Sequence, residues 1–227
     1  MIDYEFPLNE RVRTLLRLEG LCARMAYFVE RSTIVDHQAA LLTLFEILEV
    51  ASRADLKPDL LQELERQKRL LAALQDNPAI STTALAAILD DIEKTSVRLL
   101  DMSGKVGQHL RENEWLMGIK QRAGIPGGTC EFDLPSYHYW LNQDAAVRRH
   151  SLVNWLAPLL PICDGLVIIL KLLRENGKVC HLTALQSNFQ QMQGGRTAQM
   201  LRISLDSSLP CTWVQSAIPP LIEFRSR

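Results

Sequence analysis

The sequence predicts an α+β fold that is mostly helical. An antiparallel helical domain over residues 1–176 is expected to pack with a small antiparallel β domain over 177–227, as two parts of one compact unit. Three observations carry this expectation. Apolar residues recur at three- and four-residue steps through most of the first three quarters of the chain, with polar punctuation between the runs. After Asn176-Gly177 the recurrence changes to alternation, clearest where Leu201, Ile203 and Leu205 oppose Arg202, Ser204 and Asp206. No internal repeat, low-complexity tract or long linker separates the two regions.

The first residues, IDYEF, alternate and read as a possible short strand near 2–6. Pro7 and then Asn9, a capping residue type, open a helix that runs to about Phe28 with Val12, Leu15, Cys22 and Ala26 in helical step. Thr33 caps a second helix through LLTLFEILEV. KPDLLQELERQKRLLAAL gives a third, with Pro58 inside its start, where a missing N–H is tolerated. Ser81 or Thr82 begins a fourth, TALAAILDDIEKTSVRLLD, which should stop near Met102-Ser103-Gly104, and a fifth, shorter helix lies within VGQHLRENEWLMGIKQRAG. In GIPGGTCEFDLPSYHYWL (124–141) the glycines are expected to take positive φ and reverse the chain. CEFD reads as a short strand near 129–133. Asp133 or Ser136 would cap a helix begun by Pro135, burying Tyr137, Trp140 and Leu141 and leaving His138 on its rim. The most lipid-like run, LAPLLPICDGLVIILKLL (156–173), is interrupted by Pro158, Pro161, Asp164 and Lys171. Its unbroken apolar core is far shorter than the ~20 residues of a spanning helix, so a core helix and no membrane insertion are expected. After this run KVCHLTAL, SNFQQMQ and MLRISLDSSL alternate and read as strands, with Gly194-Gly195 and Ser207-Ser208 as turns.

Lys and Arg number 25 against 26 acids, so no global field draws the molecule onto nucleic acid or an anionic membrane. Electrostatic function must be local. The five cysteines, Cys22, Cys130, Cys163, Cys180 and Cys211, are scattered, odd in number and form no CxxC pair, which suits thiols in a reducing cytoplasm. The N-terminus carries acids before any apolar run and lacks the pattern of a signal peptide. GIPGGTC has neither GK[ST] nor GxGxxG and follows a helix, so a proline turn is preferred to a phosphate loop. Cys130, Asp133 and His138 could supply metal ligands, but His37, His109, His150 and His181 are single and scattered. Cys130 with His138 could pair a nucleophile with a base, yet nothing marks an orienting residue or an oxyanion donor. No cofactor, metal or catalysis is expected.

The informative signal is basic. Arg13, Arg17 and Arg24 fall at helical steps on one face of the first helix, with Gly20 leaving room between them. Lys105, Arg111, Lys120 and Arg122 bracket the helix that leads into the IPGG turn. Either group alone reads as a solvated helix face. Together, near an imidazole and several rings, they suit a cleft that grips an acidic or phosphate-bearing segment by charge-assisted hydrogen bonds. A nucleic-acid-binding module would use the same arginines on phosphates, against the neutral overall charge and without a reading motif.

PLNERVRTLLRLE, IVDHQAAL, VGQHLREN, IPGGTCEFDLPSYHYWL and LRISLDSSL, in that order, resemble the landmarks of the ZapD family, Z-ring-associated bacterial cell-division proteins also called YacF. The resemblance covers nearly the whole chain. It implies a helical domain joined to a small β domain, a two-fold homodimer, no catalysis, and a cytoplasmic protein at the midcell division ring. It further implies binding of the C-terminal tail of FtsZ, the tubulin-like division GTPase, and cross-linking of its protofilaments into bundles. Carried onto matching positions, the tail-binding residues are Arg13, Arg17, Arg111, Lys120, Arg122 and His138, to which the stripe on the first helix adds Arg24. Two departures stand out. Glu114 lies where the family commonly has a basic residue, and SAIPPLIEF (216–224) replaces basic strand positions, leaving Arg225 and Arg227 as substitutes. Pro219-Pro220 also argues against a regular strand there.

Overall fold

The computed structural model describes residues 1–52, 55–74, 81–177, 179, 188–190, 198–208, 211–216 and 221–226. The fold is α+β and mostly helical, in two compact units: Thr14–Leu170 forms one, and Met1–Arg13 with Lys171–Arg227 forms the other. The helices are α1 (Glu10–Val29), α2 (Ile34–Ser52), α3 (Leu56–Ala72), α4 (Thr82–Asp101), α5 (Gln108–Arg111), α6 (Glu114–Ala123), α7 (Pro135–Leu141), α8 (Ala145–Leu156) and α9 (Leu160–Glu175). A 3-10 turn, Ala157–Leu159, joins the last two.

Local chemistry sets most of these boundaries. The Asn9 side chain accepts from Val12 N–H at 2.8 Å, and Thr33 Oγ1 accepts from Asp36 N–H at 3.1 Å while donating to its carboxylate at 2.6 Å. Ser81 Oγ accepts from Ala84 N–H and so fixes the start of α4. The single fifth helix expected within VGQHLRENEWLMGIKQRAG is two helices. Asn113 leaves helical geometry and its side chain accepts from Leu116 N–H at 3.1 Å, restarting the chain as α6. Gly107 opens α5 at φ +71°, where a Cβ would stand 2.3 Å from Leu48 Cδ1.

α2 is the centre of the Thr14–Leu170 unit. It buries His37, Ala40, Leu41, Leu44, Phe45, Ile47, Leu48 and Ala51, almost all round its axis, and packs against α6, α7 and α8. α3 and α4 pack together and contribute Leu60, Leu64, Ile92 and Leu99 to the core. The helical run 145–175 is long enough to cross a membrane and holds an 18-residue stretch of mean hydropathy 2.1, apolar enough to do so by length and composition alone; 44% of that stretch is buried in the protein. Leu152, Leu159, Ile162, Leu166, Ile169 and Leu170 are buried, whereas Val153, Leu160 and Val167 are exposed at seven-residue steps. One side of the helix faces the core and one does not.

In the other unit the strands are β1 (Ile2–Pro7), β2 (Asn188–Gln190), β3 (Met200–Leu205), β4 (Cys211–Ser216) and β5 (Leu221–Ser226). They form two antiparallel sheets: β1 with β3, and β2-β5-β4. The sequence reading placed residues 2–6 with the helical domain. Strand pairing places them with the β segments, because Tyr4 aligns with Ile203 and Phe6 with Leu201 on one face. The expected alternation of β3 holds, with Leu201, Ile203 and Leu205 half-buried and Arg202 and Ser204 exposed. β4 and β5 pair with Trp213 opposite Phe224, so regular strand flanks Pro219-Pro220 on both sides while residues 217–220 lie outside the described residues. Most of KVCHLTAL and the Gly194-Gly195 turn also lie outside them. Arg174, at the end of α9, makes a two-pronged bond to Glu5 at 2.7 Å, and Arg202 and Ser204 both bond Asp3.

Candidate functional site

The expected basic site starts on α1. Arg17 and Arg24 project from one exposed face of this helix, and a Cβ added at the intervening Gly20 would meet nothing within 4 Å. The room expected beside the arginines is present. Arg13, at the start of the same helix, has its Nε 3.3 Å from Glu10. Arg24 pairs with Glu46 of α2.

Glu46 belongs to a stripe that the sequence reading did not single out. Glu46, Glu49 and Ser52 follow at three-residue steps along α2, and each receives a cation from a different element. Arg24 of α1 bonds Glu46, Lys120 of α6 bonds Glu49 at 3.0 Å, and Arg111 of α5 donates to Ser52 Oγ at 2.6 Å. Three predicted site residues are therefore gathered along one side of α2. Arg111 is further tied down by donating to the Val106 carbonyl, which makes it part of the α5 turn as well as a source of charge.

The IPGG loop extends this surface. Gly127 takes φ +72° and turns the chain, as expected; Gly128 is required for a different reason, since a Cβ there would lie 2.5 Å from the Arg122 carbonyl. Residues 130–134 do not form the expected strand. They turn, with Asp133 N–H and Leu134 N–H both donating to the Cys130 carbonyl, and no strand among the described residues pairs with them. Pro135 opens α7 as expected, but neither Asp133 nor Ser136 caps it. Asp133 instead faces Arg122 at 3.5 Å, and Ser136 Oγ accepts from Trp115 Nε1 at 3.0 Å. Both side chains are drawn away from the helix end by partners on α6.

Four rings hold α7 in place. Trp115 of α6, Tyr137 and Trp140 of α7 and Trp155 of α8 stand with centroids 5.6–6.4 Å apart. Tyr137 and Trp140 are buried, Leu141 only partly, and burial pushes the Tyr137 hydroxyl up to about 12. His138 is on the outer side of this helix, half-exposed, 3.7 Å from Glu131 and 3.3 Å from Asn142 Nδ2. Cys130, in the turn before α7, is exposed, and among the described residues no three His, Cys, Asp or Glu side chains converge as a metal site would require.

Charge compensation is the main feature that sequence could not supply. Of the seven predicted site residues, Arg17 alone has no hydrogen-bond or ion-pair partner among the described residues; the others face Glu10, Glu46, Ser52, Glu49, Asp133 or Glu131. These pairs are largely exposed, where an ion pair is worth only ~0–1 kcal/mol. Two arginines outside the prediction have firmer roles. Arg148 is buried and donates to His37 Nδ1, the Ser32 and Leu141 carbonyls and the Gln143 carbonyl. Arg149 closes the end of α1 by donating to the carbonyls of Val29, Glu30 and Arg31. Nothing in the RRH triplet distinguishes these from surface cations. An open groove of about 480 Å³ along α3, lined by Gln62, Glu65, Arg66, Arg69 and Leu70, contains none of the predicted residues.

A family model described as ZapD, a cell-division protein, matches residues 16–217. Cell division protein ZapD of Chromobacterium violaceum is 56% identical over 209 residues, covering 92% of this chain and 83% of its own. Its counterpart in Azoarcus sp. strain BH72 is 57% identical over 208 residues with the same coverage, and that of Dechloromonas aromatica is 55% identical over 205. These matches extend over most of the sequence, and the chain is a member of the ZapD family of cell-division proteins.

Proposed function

We propose that the protein is a non-enzymatic, Z-ring-associated factor that binds the C-terminal tail of FtsZ and, as a homodimer in the cytoplasm at midcell, cross-links FtsZ protofilaments into bundles. Family membership supports the division role. The observation that carries the tail-binding reading is the arrangement around α2. Arg17 has no partner among the described residues beside the open space at Gly20, while Arg24, Lys120 and Arg111 lie along the Glu46-Glu49-Ser52 stripe. Arg122 and His138 flank the same unit through the IPGG loop.

An acidic, disordered tail would meet Arg17 first. Its further carboxylates would then exchange with Glu46, Glu49 or Asp133 for cations already in position, a swap of one exposed ion pair for another. Each contact is weak and salt-sensitive, because exposed pairs are screened over ~8 Å at physiological ionic strength. Two sites on a two-fold dimer, facing filaments that display many tails, convert weak contacts into bundling through raised effective concentration.

The test is sedimentation of GTP-assembled FtsZ with this protein, comparing full-length FtsZ with FtsZ lacking its tail. Pelleting and bundling with the full-length polymer alone is the expected result. Pelleting with both alike would move the contact to the filament body, and pelleting with neither would remove the function and bring nucleic-acid binding by the same arginines forward.

A further inference from the structure

Two thiols far apart in sequence meet inside the Thr14–Leu170 unit. Cys22 on α1 and Cys163 on α9 have their Sγ atoms 2.7 Å apart, across 141 positions of chain, in hydrogen-bond contact with either able to donate. Both are half-buried, so a small solute can reach the pair while bulk water is partly excluded. No metal-ligating third group joins them among the described residues. Cys130, by contrast, is an exposed thiol. We propose that Cys22 and Cys163 form a thiol–disulfide exchange site that closes reversibly into an intramolecular disulfide on reaction with a low-molecular-weight disulfide of the glutathione type.

The chemistry follows from the contact. A thiol donating to a neighbouring thiolate stabilises it, so the Cys163 S–H holds the Cys22 thiol below its ordinary value. That same contact and burial push Cys163 well up, while burial and then the carboxylates of Asp164 and Glu19 oppose ionisation of Cys22 as smaller influences than the contact. Cys22 is therefore the attacking group. Its thiolate displaces one sulfur of the external disulfide, forming a mixed disulfide and releasing one thiolate. Cys163 then loses its proton to solvent and attacks the Cys22 sulfur, expelling the second thiolate. Two protein thiols are oxidised to one disulfide and one external disulfide is reduced to two thiols, so atoms and electrons balance. Closure pins α1, the helix that carries Arg17 and Arg24, against α9. The redox state of the pair thereby sets how firmly α1 is held.

The experiment uses the full chain, reduced and then incubated with oxidised glutathione under native conditions, followed by alkylation of remaining thiols and non-reducing peptide mapping. A linked Cys22–Cys163 peptide should be the main product, with a melting temperature raised by about 5–10 °C and returned by dithiothreitol. In Cys163→Ser, Cys22 should instead retain a glutathione adduct that the unsubstituted chain does not accumulate. If both thiols are recovered alkylated while Cys130 carries glutathione, the proposal fails; a stable glutathione adduct at Cys22 in the unsubstituted chain overturns it equally. The peptide map decides without any variant, and it is independent of FtsZ binding.

Discussion

Replacing Arg148 by methionine removes a guanidinium from the interior and keeps most of the side-chain stem. Arg148 is 4% exposed and its donors reach His37 Nδ1 at 2.9 Å, Leu141 O at 3.0 Å, Ser32 O at 2.8 Å and the Gln143 carbonyl. Those acceptors come from the α1–α2 turn, the N-terminal part of α2 and the end of α7, so one side chain ties three segments together. Without it, one buried acceptor, His37 Nδ1, and three part-buried carbonyls lose their donor, at roughly 1 kcal/mol or more each. Relief from burying a charge offsets part of this, leaving a net loss of about 3 kcal/mol. For a chain of this size that corresponds to a melting temperature lowered by roughly 6–12 °C. Arg149→Met is the internal control. Its acceptors, the carbonyls of Val29, Glu30 and Arg31, lie where water can replace the guanidinium, so the loss should be about 1 kcal/mol. Thermal and urea unfolding of the two variants measures both. A loss below about 1 kcal/mol for Arg148→Met, or equal losses for the two neighbours, would refute the reasoning that burial of the acceptors sets the cost.

Arg17→Glu should leave stability within about 0.5 kcal/mol, because the side chain is exposed and holds no partner among the described residues. On the proposed reading it should weaken binding of an FtsZ-tail peptide roughly tenfold or more, the equivalent of one charge-assisted hydrogen bond, measured by fluorescence anisotropy at low salt. Unchanged affinity in the folded variant would remove Arg17 from the site. Stability should also respond to acid in two stages. Burial first, and the Arg148 charge second, hold the His37 imidazole below its ordinary 6.5, so the folded state binds fewer protons there and stability falls as pH drops below that value. The Arg174 guanidinium holds Glu5 below its ordinary 4.5, so a second loss begins below that pH. Melting temperatures across this range check both; a flat profile from about pH 7 to about pH 5 would exclude the His37 contribution.

Most helices were legible because their signals are local, although α8 was not among those read. Asn9, Thr33 and Ser81 each cap within three residues of their own position, and sequence spacing reads such contacts directly. The break between α5 and α6 was equally local but was missed, since the polar stretch around Asn113 interrupts no apolar period long enough to announce it. Pairing of β1 with β3 was not legible, because alternation marks a strand and says nothing of its partner almost 200 residues away. The candidate site divides in the same way. The face of α1 bearing Arg17 and Arg24 follows from helical step alone, whereas Glu46 and Glu49, which lie against Arg24 and Lys120, belong to a helix whose apolar pattern drew attention elsewhere. The burial of Arg148 had no signal at all.

Pre-paired cations change what the proposed site can do. A bare basic cleft would bind any acidic segment strongly and would hold nucleic acid as readily as peptide. Here Glu46, Glu49, Asp133 and Glu131 occupy much of the positive charge before a ligand arrives. An incoming carboxylate must displace them, so the net gain per contact is the difference between two exposed ion pairs and stays small. Polyanions with regular phosphates gain little more, since Glu46 and Glu49 on α2 repel them. What the arrangement retains is geometry: Arg24, Lys120 and Arg111 are held in register by α2 and do not have to be ordered by the ligand. A site of this kind discriminates by fit and releases quickly. For a cross-linker acting through many tails at once, quick release at each site lets bundles form and rearrange while avidity holds them together.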